Sequence, residues 1–239
     1  MTTATASTTS PAGPLVLADP AGTVRLARWT GAAYLALGVT GVVGILALAP
    51  QLTAADPAAT LAALRANDAL ARAVIAMELG VVISQALAAV WFWRLFSALG
   101  RTADGVAVLA FGLVNAVAIL GSVAARAVAL AVAADPALAP GADAAAAVAL
   151  AQEASTQLWA VGAVFFGLWL IPMGHAARTS GRMPAVLGWL LVGGGAGYVL
   201  SAFVDLGVAG APAWLVDGLT LPATVGEFWM IGYLLAVGV

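Results

Sequence analysis

The chain has 239 residues, of which 63% are hydrophobic and only 8% charged, and its mean hydropathy is +1.05. Soluble domains carry roughly 25% charged residues, so polar surface is too scarce here to coat a globule in water, and a soluble enzyme is excluded. The 9 basic residues are all arginines, set against 11 acidic ones for a formal net charge of −2, with no basic tract for nucleic acid. With no cysteine and a single histidine, His175, the chain has no thiolate nucleophile, no zinc–thiolate site and no pair of histidines for a metal or haem. Neither a cofactor nor a metal is therefore expected.

Residues 1–24, rich in Thr, Ser, Ala, Pro and Gly with Asp19 as their one charge, read as a disordered cytoplasmic tail, because they bury too little apolar area to offset chain entropy. The first basic residue is only Arg25, and the apolar run that follows, about 20 residues, is too long for a signal-peptide h-region of roughly 7–15, so it reads as a retained anchor. Six segments reach the about 20 apolar residues that a membrane-crossing helix requires: 29–49, 72–98, 105–133, 154–174, 185–208 and 219–239. Between the first two, Asp56-Pro57 starts a short helix through Ala66. Gly100 to Asp104, Asp135-Pro136, Pro140-Gly141, the Thr179–Pro184 stretch and Gly210-Ala211-Pro212 punctuate the rest. The alanine-rich stretch from Asp143 to Gln152 extends span four beyond the bilayer as one helix. Pro172 is expected to kink span four, and Pro222 to sit in the first turn of span six.

The fold class is thus all-α, a single domain over residues 25–239, a bundle of six transmembrane helices. Arginine placement orients it. Arg25, Arg28, Arg94, Arg101, Arg178 and Arg182 fall on the side of the termini, against Arg65, Arg72 and Arg126 on the other. Both termini are therefore expected in the cytoplasm, with the protein multi-pass in the plasma membrane.

Several stretches carry a resemblance. Arg25 to Tyr34 opens span one, Asn67 to Arg72 opens span two, and Val164-Phe-Phe-Gly-Leu168 lies in span four. Arg178 to Gly188 follows, and Pro222 to Glu227 lies in span six. Together they resemble the bacterial domain-of-unknown-function 4386 family of multi-pass membrane proteins over residues 25–239. The resemblance implies fold and location but no reaction. At two positions where the family's pattern often carries histidine, this chain has Ser155 and Trp169, which argues against a histidine-held group.

Ionisable side chains inside spans cost about 2.5–3.5 kcal/mol each at a helix centre, and three stand out: Glu78, Arg126 and Glu227. At 1.5 Å rise per residue they lie roughly 9, 10 and 12 Å below the outer ends of their helices. That common depth predicts that the three charges meet. Asn115, Ile119, Ser122 and Arg126 form one polar stripe of span three, and Glu78 and Gln85 share a face of span two. The expected site is an outward-facing polar cluster of Glu78, Arg126, Glu227, Asn115, Ser122 and Gln85. It reads either as a buried ion-pair network fixing helix packing or as a binding or relay site for a proton, cation or small polar ligand. Gly193, Gly197 and Ser201, four apart, predict a close helix-packing seam in span five. His175 reads as a solvated residue of a basic loop.

No Gly-x-x-x-x-Gly-Lys loop and no His-Glu-x-x-His occur. A structural or accessory membrane protein is the leading functional reading, with a secondary transporter or small-ligand-binding membrane protein as the alternative. An enzyme is the weakest. The bilayer is the expected partner, with room for a homo-oligomer or a neighbouring membrane subunit; the small-molecule ligand is not readable.

Overall fold

The structure, a computed structural model, describes residues 19–239. Among them six helices are long and apolar enough to cross a membrane. Helix α1 runs Pro20–Gly41 and continues as a π-helical stretch Val42–Leu48 and a 3-10 turn Ala49–Leu52. The short α2 is Pro57–Ala66; α3 is Asp68–Ala98, α4 Thr102–Ala134 and α5 Ala144–Thr179. Finally, α6 is Ala185–Gly207 and α7 Ala213–Ala236. Most of the expected sequence tail, residues 1–18, lies outside the described residues.

Residues 20–24, expected in that tail, are instead the first turn of α1. Asp19 caps it, its carboxylate accepting from Gly22 N at 2.8 Å, and Pro20 occupies the first helical position, where its missing N–H costs nothing. Asp56 caps α2 in the same way through Ala58 and Ala59, as the Asp-Pro pair predicts. Pro172 does not break α5, which runs through it as one helix. Pro222 does not sit in a first turn: α7 begins right after Pro212, so Pro222 lies well inside it. The carbonyl it deprives of a partner belongs to Gly218, which is exposed.

The six long helices close into a ring. Helix α1 packs on α3, α3 on α4, α4 on α5, α5 on α6, α6 on α7, and α7 back on α1 across the lightest seam of all. The start of α1 and the last residues of the chain lie at one end of the bundle, where an added Cβ on Gly238 would touch Val24. Two apolar cores fill the bundle. The larger centres on Phe92, Phe96, Trp169, Leu170 and Met173. The smaller, at the far end, gathers Leu52, Leu64, Val74, Leu130 and Val148 under α2, and Arg65 clamps that end by donating from Nε to the Ala133 carbonyl at 2.9 Å.

Glycines set the closest approaches. Gly167 faces Gly195 and Gly174 faces Gly188 between α5 and α6, while Gly194 abuts the backbone of Ala223 and Gly197 the carbonyl of Leu219 between α6 and α7. The expected seam therefore exists at Gly197; Ser201 is buried, its hydroxyl donating within α6 to the Tyr198 carbonyl at 2.8 Å. Gly193 does not belong to it: it is exposed, with open space around it. In a run of three glycines the contact falls one residue later, on Gly194.

A methyl group separates these positions. Gly197→Ala, driven into a backbone carbonyl, is expected to cost about 1–3 kcal/mol, whereas Gly193→Ala is expected to be near neutral in thermal unfolding of the purified protein.

Candidate functional site

The three membrane-embedded charges divide into two sites. Glu78 and Arg126 pair, Nε to Oε1 at 2.9 Å, with the carboxylate fully buried. Helix geometry explains why: Val74 and Val81, one turn to either side of Glu78 on α3, belong to the two different cores. The pair is a polar layer between them. The same oxygen of Glu78 accepts from the Trp159 indole N–H at 3.0 Å and from the Ser122 hydroxyl at 3.4 Å. Ser122 in turn shares a 2.7 Å hydrogen bond with Ser155, and the second oxygen of Glu78 has no partner. Gln152 Oε1 stands 3.5 Å from the Arg126 guanidinium.

Glu227 does not join that pair. Its helix, α7, packs chiefly on α6 and α1, away from α4, so the expected meeting with Arg126 does not occur. Instead it accepts from the Tyr34 hydroxyl of α1 at 2.5 Å, and no ion pair to Glu227 forms among the described residues. The Tyr34 ring is fixed from behind, stacked on Trp169 at 5.6 Å and edge-on to Phe92 at 5.4 Å.

Glu227 and Tyr34 face a cavity of about 320 Å³ to which all six long helices contribute. Its lining includes the polar or part-polar side chains of Glu227, Tyr34, Tyr198, Gln85, Asn115, Thr224 and Trp159; the remainder is apolar or aromatic. Gln85 is 0% exposed, yet neither its amide oxygen nor its amide nitrogen has a partner. Gly162 makes space for Asn115, whose Oδ1 would lie 3.1 Å from a Cβ there.

Of the expected cluster, then, Glu78, Arg126 and Ser122 come together, and Glu227, Gln85 and Asn115 line the neighbouring cavity. Trp159 touches both. Sequence reasoning passed over Tyr34, Trp159 and Ser155. The signal for two of them was present, since Ser155, Trp159, Gly162 and Phe166 follow i, i+4, i+7, i+11 on one face of α5.

The mouth of the cavity is lateral. Toward the start of α1, α1 and α7 meet tightly, because Gly31 lets Leu234 and Leu235 approach. Beyond that contact Val42, Leu46 and Phe228 line the cavity while remaining 48%, 71% and 58% exposed. Gly38, with no atom near its would-be Cβ, opens the same wall. The π-helical turn lies at this mouth, its Ala49 N–H reaching back to the Gly44 carbonyl, and such single wide turns recur at functional sites.

His175 stands apart from all this. It sits on the last turns of α5 rather than in a loop, its Nδ1 2.8 Å from Asp104 and 2.9 Å from the Arg101 guanidinium. The turn from α3 to α4 thereby ties to the end of α5. Among the described residues no group of three His, Asp or Glu side chains could hold a metal. The Ser122–Ser155 pair has a carboxylate but no histidine beside it, so the arrangement lacks the relay that activates a serine. What it offers is shape and hydrogen bonds.

The family model described as a domain of unknown function, DUF4386, matches residues 29–238. No curated protein and no solved structure matches the chain.

Removing one partner of a buried pair leaves the other charge stranded, at about 3–5 kcal/mol. Arg126→Met is expected to lower stability by that order, and Glu78→Gln combined with Arg126→Met to recover much of it. A double-mutant cycle of thermal unfolding measures the coupling.

Proposed function

We propose that this chain, which belongs to the DUF4386 family of domains of unknown function, binds a small amphipathic molecule inside its helical bundle, taken up sideways from the bilayer. The observation that carries this reading is Gln85. A fully buried amide with both polar atoms unpartnered is costly in an apolar interior, and here it borders a cavity large enough to bring it a partner. Ligand sites are in general concave and mostly apolar, with a few convergent polar groups, which describes this lining. The exposed apolar rim of Val42, Leu46 and Phe228 suits a ligand dissolved in hydrocarbon better than one arriving from water.

The Glu78–Arg126 pair has a different part in this reading. Each charge has its partner, so the pair supports packing of α3, α4 and α5, whereas the sequence alone predicts an ion-pair network joining α3, α4 and α7. Trp159 lends its N–H to the pair and its ring to the cavity, holding the wall of the binding site in place. The natural setting proposed is the plasma membrane with both termini cytoplasmic, on the arginine excess at that end.

Two measurements test these statements. Saturable binding of the neutral amphipath N-phenyl-1-naphthylamine, read as fluorescence above that of empty nanodiscs, is expected for the wild type. Gly38→Phe, whose ring enters the cavity mouth, is expected to weaken it by about tenfold or more, the equivalent of 1.4 kcal/mol. Equal binding by both proteins would remove the cavity as the site. For orientation, the chain has no cysteine of its own. In intact cells Ala137→Cys, in the α4–α5 connection, is expected to react with a membrane-impermeant maleimide and Ala103→Cys to be protected; the reverse pattern inverts the topology.

A further inference from the structure

We infer, resting on the binding reading above, that the molecule taken by this cavity is a lipophilic organic cation, an ammonium or similarly diffuse positive centre on an apolar body, with Glu227 as its counter-ion.

The argument starts from a contrast between two carboxylates on neighbouring walls of the bundle. Glu78 has its arginine at 2.9 Å. Glu227 has only the Tyr34 hydroxyl, and no basic side chain pairs with it among the described residues. An ionisable group at membrane depth is costly and marks a functional site whose partner must be found. Among the described residues no ion pair to Glu227 forms, and the space beside Glu227 is the cavity.

The cavity wall has the second half of a cation site. Trp159, Tyr198 and Phe228 line it together with Tyr34, and aromatic faces attract a diffuse cation through their negative quadrupole, most strongly where water is excluded. The unpartnered Gln85 oxygen adds a neutral acceptor. A carboxylate among aromatic rings with a nearby amide oxygen is the chemistry that recognises an alkylammonium group. Size favours an organic body over a bare metal ion or a lone hydronium. At about 30 Å³ per water molecule, a volume of about 320 Å³ is far more than such an ion fills, and most of its wall is apolar. The lateral mouth agrees, because a cation on an apolar body concentrates in the membrane from which the cavity opens.

The test compares two molecules of the same shape, benzyltrimethylammonium and its uncharged carbon analogue neopentylbenzene, by saturation-transfer NMR on the protein in nanodiscs against empty nanodiscs. The wild type is expected to favour the cation by about tenfold or more, within the range that desolvated cation–π contact and ion pairing allow. Glu227→Gln is expected to abolish that preference while retaining neopentylbenzene, and Gly38→Phe to weaken both. Equal binding of the two molecules by the wild type overturns the charge assignment, a result that depends on no variant folding. So does a cation preference unchanged in Glu227→Gln. In either case the binding reading survives if Gly38→Phe still weakens both probes. Binding of neither probe, together with no saturable binding of N-phenyl-1-naphthylamine, overturns the binding reading itself.

Discussion

Close contact between the backbones of α5, α6 and α7 sets the terms for the rest of the bundle. Where Gly167 meets Gly195, Gly174 meets Gly188 and Gly197 meets the Leu219 carbonyl, no side chain stands between the helices. In a lipid environment, where apolar side chains gain little by leaving solvent, such dispersion-dominated seams are a main source of cohesion. Three helices locked on one side leave the ring to close elsewhere, and it closes lightly between α1 and α7. The cavity and its mouth follow from this asymmetry. A bundle with even seams all round would have had no lateral opening.

The polar residues are arranged around the same asymmetry. Glu78 and Arg126 lie deep among α3, α4 and α5, where the ring is dense, and they satisfy each other. Glu227 lies toward the light seam and depends on Tyr34. Trp159 spans the two environments, with its indole N–H in the first and its ring on the second. A change at Ser122 or Ser155, which share the Glu78 network, therefore reaches the cavity wall through one side chain.

Much of the fold was legible because hydrophobic length and Asp-Pro or Gly-Pro punctuation are one-dimensional signals. The six spans, the short α2 and the long extension of α5 all show that. The stripe from Asn115 to Arg126 was legible too, since helical periodicity places residues on a face without knowledge of neighbours. The meeting of Glu227 with Arg126 was not a one-dimensional question. Depth was misjudged for Glu227, because α7 begins at Ala213 and places it about 21 Å along its helix; which helices touch depends in addition on the ring order, and α7 is on the wrong side of it. Gly193 illustrates a finer ambiguity: among Gly193, Gly194 and Gly195, spacing alone cannot say which two face neighbours and which faces outward. Tyr34 escaped because an aromatic residue in an apolar span resembles core until its hydroxyl finds an acid nearly two hundred residues away.

The wide turn of α1 bears on how this protein tolerates change. Up to Tyr34 and Leu37 the buried positions of α1 recur every three or four residues, but the step from buried Gly44 to buried Ala49 is five. One residue in that stretch is therefore surplus to the packing of the helix: an ordinary α-turn shorter by one would still bring Ala49 and Leu52 to the far core. The stretch behaves as an accommodated insertion, and its effect falls on the wall at Val42, Ile45 and Leu46 rather than on the core. Among related chains, single-residue length differences between Gly41 and Ala49 are thus a cheap way to reshape the entrance while leaving the scaffold unchanged.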